Sequence, residues 1–135
     1  MTKVLIVDDD LPVLASTARS LSSIGFETAI TADRCMILDA IRQGHPDVVL
    51  LDVRMPGLDV EQLVRAIQVD PEIAGTRIVL FSAGIDAWEP QEQMQVADAL
   101  EKPFKPAHVV AVITDAIAGP PKPPEQPAAH SLMTV

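Results

Sequence analysis

The chain has 135 residues, 48% of them apolar and 21% charged, a size and balance that support one ordinary hydrophobic core. Its net charge of −9 argues against direct nucleic-acid binding, which draws its affinity mostly from clustered Lys and Arg, and suits a protein that holds cations or meets a basic partner face. The one cysteine, Cys35, excludes an internal disulfide; with no signal-peptide pattern and no apolar run near the roughly 20 residues that cross a bilayer, a soluble, cytoplasmic protein with no membrane partner is expected.

In chain order, the N-terminus leads straight into Val4-Leu5-Ile6-Val7, a continuous apolar run that stops at Asp8. Val13, Leu14, Thr17, Leu21 and Ile24 then recur at helical spacing, with Gly25 as the stop. After the short run Thr28-Ala29-Ile30, Asp33 reads as the N-cap of a helix carrying Met36, Ile37, Ala40 and Ile41 and ended by Gly44. Cys35, beside Met36, reads as core. Val48-Val49-Leu50-Leu51 is followed by a helix from about Val60 to Val69, with Leu63, Val64 and Ile67 inward and Asp70-Pro71 as breaker. Next come Ile78-Val79-Leu80-Phe81, a weakly helical segment from Glu89 to Val96, and a weaker run around Ala97 to Leu100. Pro106 is placed to open the last helix, whose apolar side is Val109, Val110, Val112, Ile113 and Ile117.

Short apolar runs alternating with amphipathic segments predict successive βαβ units around a parallel sheet. Two of the runs are continuously apolar and so predict central strands buried on both faces. From Gly119 the composition changes, with Pro120, Pro121, Pro123, Pro124 and Pro127 in close succession. The reading is a domain over 1–118 and a disordered or polyproline II tail over 119–135, serving as a linker, a docking segment or a solvated end.

In a doubly wound parallel sheet, ligands bind beyond the carboxyl ends of the strands. The residues directly after each run are therefore the informative ones. They are Asp8, Asp9 and Asp10 after the first, Asp52 after the third, Ser82 after the fourth and Lys102 after the fifth. Carboxylates brought this close repel one another unless a cation sits among them. A hard divalent ion such as Mg²⁺ takes one or two carboxylates together with waters and phosphate oxygens. A carboxylate is also a nucleophile that forms an acyl phosphate, and phosphoryl transfer asks mainly for in-line positioning and neutralisation of three equatorial oxygens. Mg²⁺ would cover one oxygen, Lys102 another, and the Ser82 hydroxyl with backbone N–H groups the third. Asp10 has a simpler reading as the cap of the first helix.

Four segments in order carry a resemblance to the response-regulator receiver family over residues 3–118: Leu5-Ile6-Val7-Asp8-Asp9-Asp10, Leu51-Asp52-Val53-Arg54-Met55-Pro56-Gly57-Leu58-Asp59, Leu80-Phe81-Ser82-Ala83 and Glu101-Lys102-Pro103-Phe104. The resemblance implies an α/β, flavodoxin-like, doubly wound five-stranded parallel sheet of order 2-1-3-4-5 with five helices. It implies Asp52 as phosphoacceptor, Asp8 and Asp9 as the acidic pair that holds Mg²⁺ with Asp52 and the backbone carbonyl of Arg54, Ser82 as the switch hydroxyl, Lys102 as the phosphoryl contact and Lys102-Pro103 as a cis peptide. The implied donor is a sensor histidine kinase or a histidine phosphotransfer protein, and the implied output partner, unknown in kind, reads the face near the fourth and fifth strands. Such a domain catalyses much of its own transfer and later dephosphorylation without being a turnover enzyme.

Two positions depart from the family pattern. Ala99 stands where Tyr or Phe is usual, so no aromatic rotamer is available there to relay the signal, and Val60 stands where glycine is usual. Ala99 keeps a rival reading open, a non-phosphorylated interaction module on the same fold. An aspartate-nucleophile phosphohydrolase is a further rival: Asp8 and Asp10 have its Asp-x-Asp spacing, but the chain lacks the cap insertion such enzymes require. Trp88 and Met94 read as sheet packing or as a partner anchor, and His45, His108 and His130 carry no catalytic role.

Overall fold

The computed structural model of the chain describes residues 2–52, 55–82, 98–101 and 106–118. Five strands, β1 (Lys3–Val7), β2 (Glu27–Thr31), β3 (Val48–Asp52), β4 (Arg77–Ser82) and β5 (Asp98–Glu101), form one sheet in the order β2-β1-β3-β4-β5. Every pairing is parallel, so each strand must return to the same edge before the next begins. The returns use α1 (Leu11–Ile24), α2 (Ile37–Gly44) and α3 (Val60–Val69), and α4 (Pro106–Ala118) follows β5. This is the strand order that the resemblance implied. The expected helix over Glu89 to Val96, and the tail over 119–135, lie outside the described residues.

The continuous apolar runs follow from having helices on both sides. Alternate residues of a strand face opposite ways. Leu5, Val7, Val49, Leu51 and Leu80 join Ile37, Ile41, Val64 and Ile67 on the α2/α3 side. Val4, Ile6, Val48, Leu50 and Val79 join Leu14 and Leu21 of α1 and Val109 and Ile113 of α4 on the other. All of Val4–Val7 and Val48–Leu51 are at most 1% exposed. At about 1.5–3 kcal/mol for each buried aliphatic side chain, these two strands outweigh the chain's described ion pairs, which are solvent-facing contacts such as Arg65–Glu61 at 3.9 Å worth about 0–1 kcal/mol each. β2 lies at the sheet's edge, and there Glu27 and Ile30 remain exposed.

Local capping fixes where the helices begin and end. Asp10 caps α1, its carboxylate accepting the Val13 N–H at 3.2 Å, so the helix starts before the periodic run that signalled it. Gly25, at φ 120°, closes α1 by donating to the carbonyl of Leu21 at 3.2 Å and of Ser22 at 3.1 Å. Asp59 caps α3 through the Gln62 N–H at 3.0 Å.

The segment after β2 differs from expectation. Asp33 caps a 3₁₀ turn, Arg34–Met36, by accepting the Cys35 N–H at 2.8 Å, and α2 begins only at Ile37. A 3₁₀ turn advances three residues per turn, which rotates these side chains off the core-facing stripe; Cys35 is exposed, not core, and Met36 is 48% exposed. Gly44 is the last helical residue of α2 and the left-handed stop falls on His45, at φ 47°. Pro46 follows directly, and a residue before proline is disfavoured in the right-handed helical region.

Candidate functional site

β1 and β3 are central neighbours in register, Val7 opposite Leu51, so the residues that follow them, Asp8 and Asp52, stand side by side at one edge. This is where the chain's direction of winding reverses: β1 connects outward to β2, and β3 connects the other way to β4. Asp8 is fully buried and Asp52 is 6% exposed, whereas Asp9 faces solvent. One carboxylate oxygen from each of the three lies within 4.8 Å of the others. Asp8 is clamped from two sides. Its N–H donates to the Thr31 carbonyl at 3.3 Å, which ties the exit of β1 to β2, and its Oδ1 accepts the Asp10 N–H at 3.0 Å. Asp10 is not part of the trio; its side chain serves the helix.

Asp52 pairs with Phe81 on β4, which places Ser82 one residue further along the neighbouring strand at the same edge. Ser82 in turn pairs with Glu101, the last residue of β5. Ala99 stands opposite Leu80 in the same ladder. Lys102, Pro103 and Arg54 lie outside the described residues, so the predicted ammonium contact, cis peptide and carbonyl ligand have no described position.

Beside the trio opens a cleft of about 330 Å³ lined by Asp9, Ala32, Asp33, Arg34, Met55 and Pro56. Its walls are the connections that follow β1, β2 and β3. Met55, 5% exposed, roots the third of these in the core. Glycine at position 57 suits the turn because its φ is +76°, and a Cβ there would stand 2.7 Å from Arg34 Nε, so the arginine would have to move aside. Met55 falls within the Leu51–Asp59 segment that carries the resemblance, whereas Arg34 falls in none of the four segments. The rule of reading residues after each strand would have reached Arg34 had it been applied to β2, whose short run gives a weak signal.

Chemically, the trio is an all-oxygen donor set of like charge held at short range. Such a set suits a hard divalent cation, which takes carboxylates directly and completes its shell with water; the exposed Asp9 leaves a solvent side open for that. A set of three carboxylates without an accompanying cation is electrostatically expensive, because at these separations the pairwise repulsions are only partly screened.

A doubly wound sheet with an acidic trio at its topological switch point defines a class of α/β proteins that act on a ligand at the carboxyl edge. Residues 4–114 match the response regulator receiver domain, and the chain belongs to that family of two-component signalling switches. It is similar to the DNA-binding response regulator MtrA of Mycobacterium tuberculosis, 33% identical over 111 residues that cover 81% of this chain and 47% of the relative. It is likewise similar to the transcriptional regulatory protein PrrA of the same species, 34% identical over 109 residues with the same coverage. The chain thus spans about half the length of the curated relatives it matches. Among solved structures, the fold is shared with the chemotaxis response regulator CheY4 of Vibrio cholerae, with a TM-score of 0.76, 24% identity and coverage of 86% of this chain and 98% of that one. It is shared equally with the receiver domain of the sensor histidine kinase PA1611 from Pseudomonas aeruginosa, which carries a magnesium ion in its active-site cleft; the TM-score is 0.76 at 24% identity, over 87% and 98% of the two chains. Among the described residues, no helix is long and apolar enough to cross a membrane.

Proposed function

We propose that Asp52 accepts a phosphoryl group from the phosphohistidine of a sensor histidine kinase or a histidine phosphotransfer protein, in a Mg²⁺-dependent reaction, and that the aspartyl phosphate is the domain's signal. The observation that carries this reading is the placement of Asp52 at the end of β3, with its carboxylate within 4.8 Å of those of Asp8 and Asp9. A nucleophilic oxygen is thereby held in fixed register beside a cation-binding pair. In the transfer, a carboxylate oxygen of Asp52 attacks phosphorus, the P–N bond to the donor imidazole breaks, and its electron pair leaves with the imidazole. Asp8, Asp9, Asp52 and the backbone carbonyl of Arg54 are the groups that would hold Mg²⁺, which when bound supplies charge neutralisation for the phosphoryl oxygens. The Ser82 hydroxyl and the Lys102 ammonium are the protein's own contacts to that group, with Lys102-Pro103 cis in this reading. The domain contributes to its own phosphorylation and dephosphorylation but is consumed one for one.

The added charge and acceptor oxygens bias a two-state element that an output partner reads. With Ala99 at the position usual for an aromatic, that relay runs without a rotamer swap there. In this reading the receiver spans 1–118, the proline-rich 119–135 is a tail or linker, the protein works in the cytoplasm, and any DNA binding of the kind named for MtrA belongs to a separate output unit, since a chain of net charge −9 is a poor ligand for a phosphate backbone. The test is the intact mass of the protein after incubation with acetyl phosphate and Mg²⁺. One added phosphoryl group is expected on the parent, and none with EDTA or in Asp52→Asn. A folded parent that takes no phosphoryl group from acetyl phosphate or from a phosphohistidine donor refutes the reading.

A further inference from the structure

The hydrogen bond from the Asp8 N–H to the Thr31 carbonyl holds the β2–α2 connection alongside the acidic trio. From that connection the Arg34 side chain reaches over the cleft to the turn that follows β3. There its Nε would stand 2.7 Å and its Cζ 3.2 Å from a Cβ on Gly57, so the stem of the guanidinium rests on bare glycine backbone. Of the described residues that line the cleft, Arg34 alone is cationic. Among the described residues its guanidinium makes no ion pair, although Asp9 and Asp33 share the same walls.

We propose that Arg34 is a donor-specificity residue: its guanidinium receives small anionic phosphodonors in this cleft and orients them toward Asp52. The proposal rests on the phosphoacceptor reading above. Its physical basis is a mismatch of charge. The substrate of such a site is an anion, yet the trio contributes three carboxylates and the chain as a whole is at −9. In the phosphoacceptor reading a divalent ion and the Lys102 ammonium offset the three charges of the trio, so the charge of an incoming dianionic donor is the excess that a further cation would meet. A guanidinium offers five N–H donors in a planar fork that pairs with phosphate or carboxylate oxygens. Because Arg34 is exposed, its attraction is screened by salt and acts chiefly on the encounter with the donor. With acetyl phosphate, an Asp52 oxygen attacks phosphorus, the P–O bond to the acetyl group breaks, and acetate leaves with the electron pair. Arg34 touches the donor and takes no proton.

The test compares the parent, Arg34→Ala and Arg34→Lys as full chains in Mg²⁺, with acetyl phosphate and with the less anionic phosphoramidate, at low and high salt. Phosphoprotein formation is followed by intact mass, and its decay is followed after donor removal. At low salt Arg34→Ala is expected to slow phosphorylation by acetyl phosphate about two- to fivefold, the size of one exposed charge pair, with Arg34→Lys in between. The loss should be smaller with phosphoramidate and should shrink at high salt. The decay rate and the Mg²⁺ midpoint for thermal stabilisation should match the parent, which a merely structural latch would not leave unchanged. Arg34→Ala phosphorylated at the parent rate by both donors overturns the proposal alone. An equal slowing with both donors, accompanied by a shifted Mg²⁺ midpoint, overturns it in favour of a structural role. A parent that takes no phosphoryl group removes the phosphoacceptor reading and this proposal together.

Discussion

Replacing Asp52 by Asn should stabilise the cation-free protein and at the same time remove its response to Mg²⁺. The carboxylate oxygens of Asp8, Asp9 and Asp52 lie within 4.8 Å of one another. Two unit charges at that distance repel by about 3.5 kcal/mol at an effective dielectric near 20, and by about 1 kcal/mol at the value of bulk water. Asp8 is buried beside Asp52, so that pair sits nearer the larger figure, whereas Asp9 faces solvent and its pair sits nearer the smaller. Asn keeps the shape and an acceptor oxygen but gives up polar interactions made by the carboxylate, so the net gain is about 1–3 kcal/mol, or about 4–12 °C in the midpoint for a domain of this size. Thermal and urea unfolding in EDTA read this directly. In Mg²⁺ the order should close up or invert. The parent gains about 2.7 kcal/mol at a hundredfold excess over its dissociation constant, and Asp52→Asn gains far less because one ligand has lost its charge. An Asp52→Asn protein less stable than the parent in EDTA would refute the expected gain and show that the polar interactions lost with the carboxylate outweigh the repulsion. Equal gains from Mg²⁺ in both proteins would show that the ion binds elsewhere.

Two further outcomes test the frame around the site. Arg77, at the start of β4, donates to the carbonyls of Gly75 at 2.8 Å, Ala116 at 3.2 Å and Ile117 at 3.4 Å, and so holds the carboxyl end of α4 against the sheet; Arg77→Ala should cost about 2–3 kcal/mol in urea unfolding, with the slope of the transition unchanged. Leu50→Ala, at a fully buried position of β3, should cost about 2–5 kcal/mol, while Val69→Ala, 63% exposed at the end of α3, should stay within about 0.5 kcal/mol.

The parallel sheet was legible because burial on both faces forces unbroken apolar runs, and Val4–Val7 and Val48–Leu51 are such runs. The edge strand β2 gave the weakest signal of the described strands flanking the site for the same reason, since half of its side chains have no core to face. The turn at Arg34–Met36 was not legible. Three residues of 3₁₀ and three of α-helix differ by a fraction of a turn, too little to change an apolar pattern, and the distinguishing contact is a local cap in which Asp33 accepts the Cys35 N–H two residues on. Arg34 was missed because the reach of a long side chain across a cleft leaves no periodic trace; its partner, the bare backbone of Gly57, lies in a different connection.

The three consecutive aspartates show most clearly how a motif is divided by the structure. In sequence Asp8, Asp9 and Asp10 are equivalent donors. A helix beginning at Leu11 leaves its first N–H groups without intrahelical partners, and the residue placed to satisfy the Val13 N–H is Asp10. That requirement turns the Asp10 carboxylate away from the sheet edge, while its own N–H remains free to donate to Asp8 Oδ1. One Asp8 oxygen is thereby fixed by the helix start and the Asp8 backbone is fixed by β2, so the carboxylates left beside Asp52 at the sheet edge are those of Asp8 and Asp9. The orientation of the site and the entry of α1 are consequences of the same few hydrogen bonds, and a change in either is felt by the other.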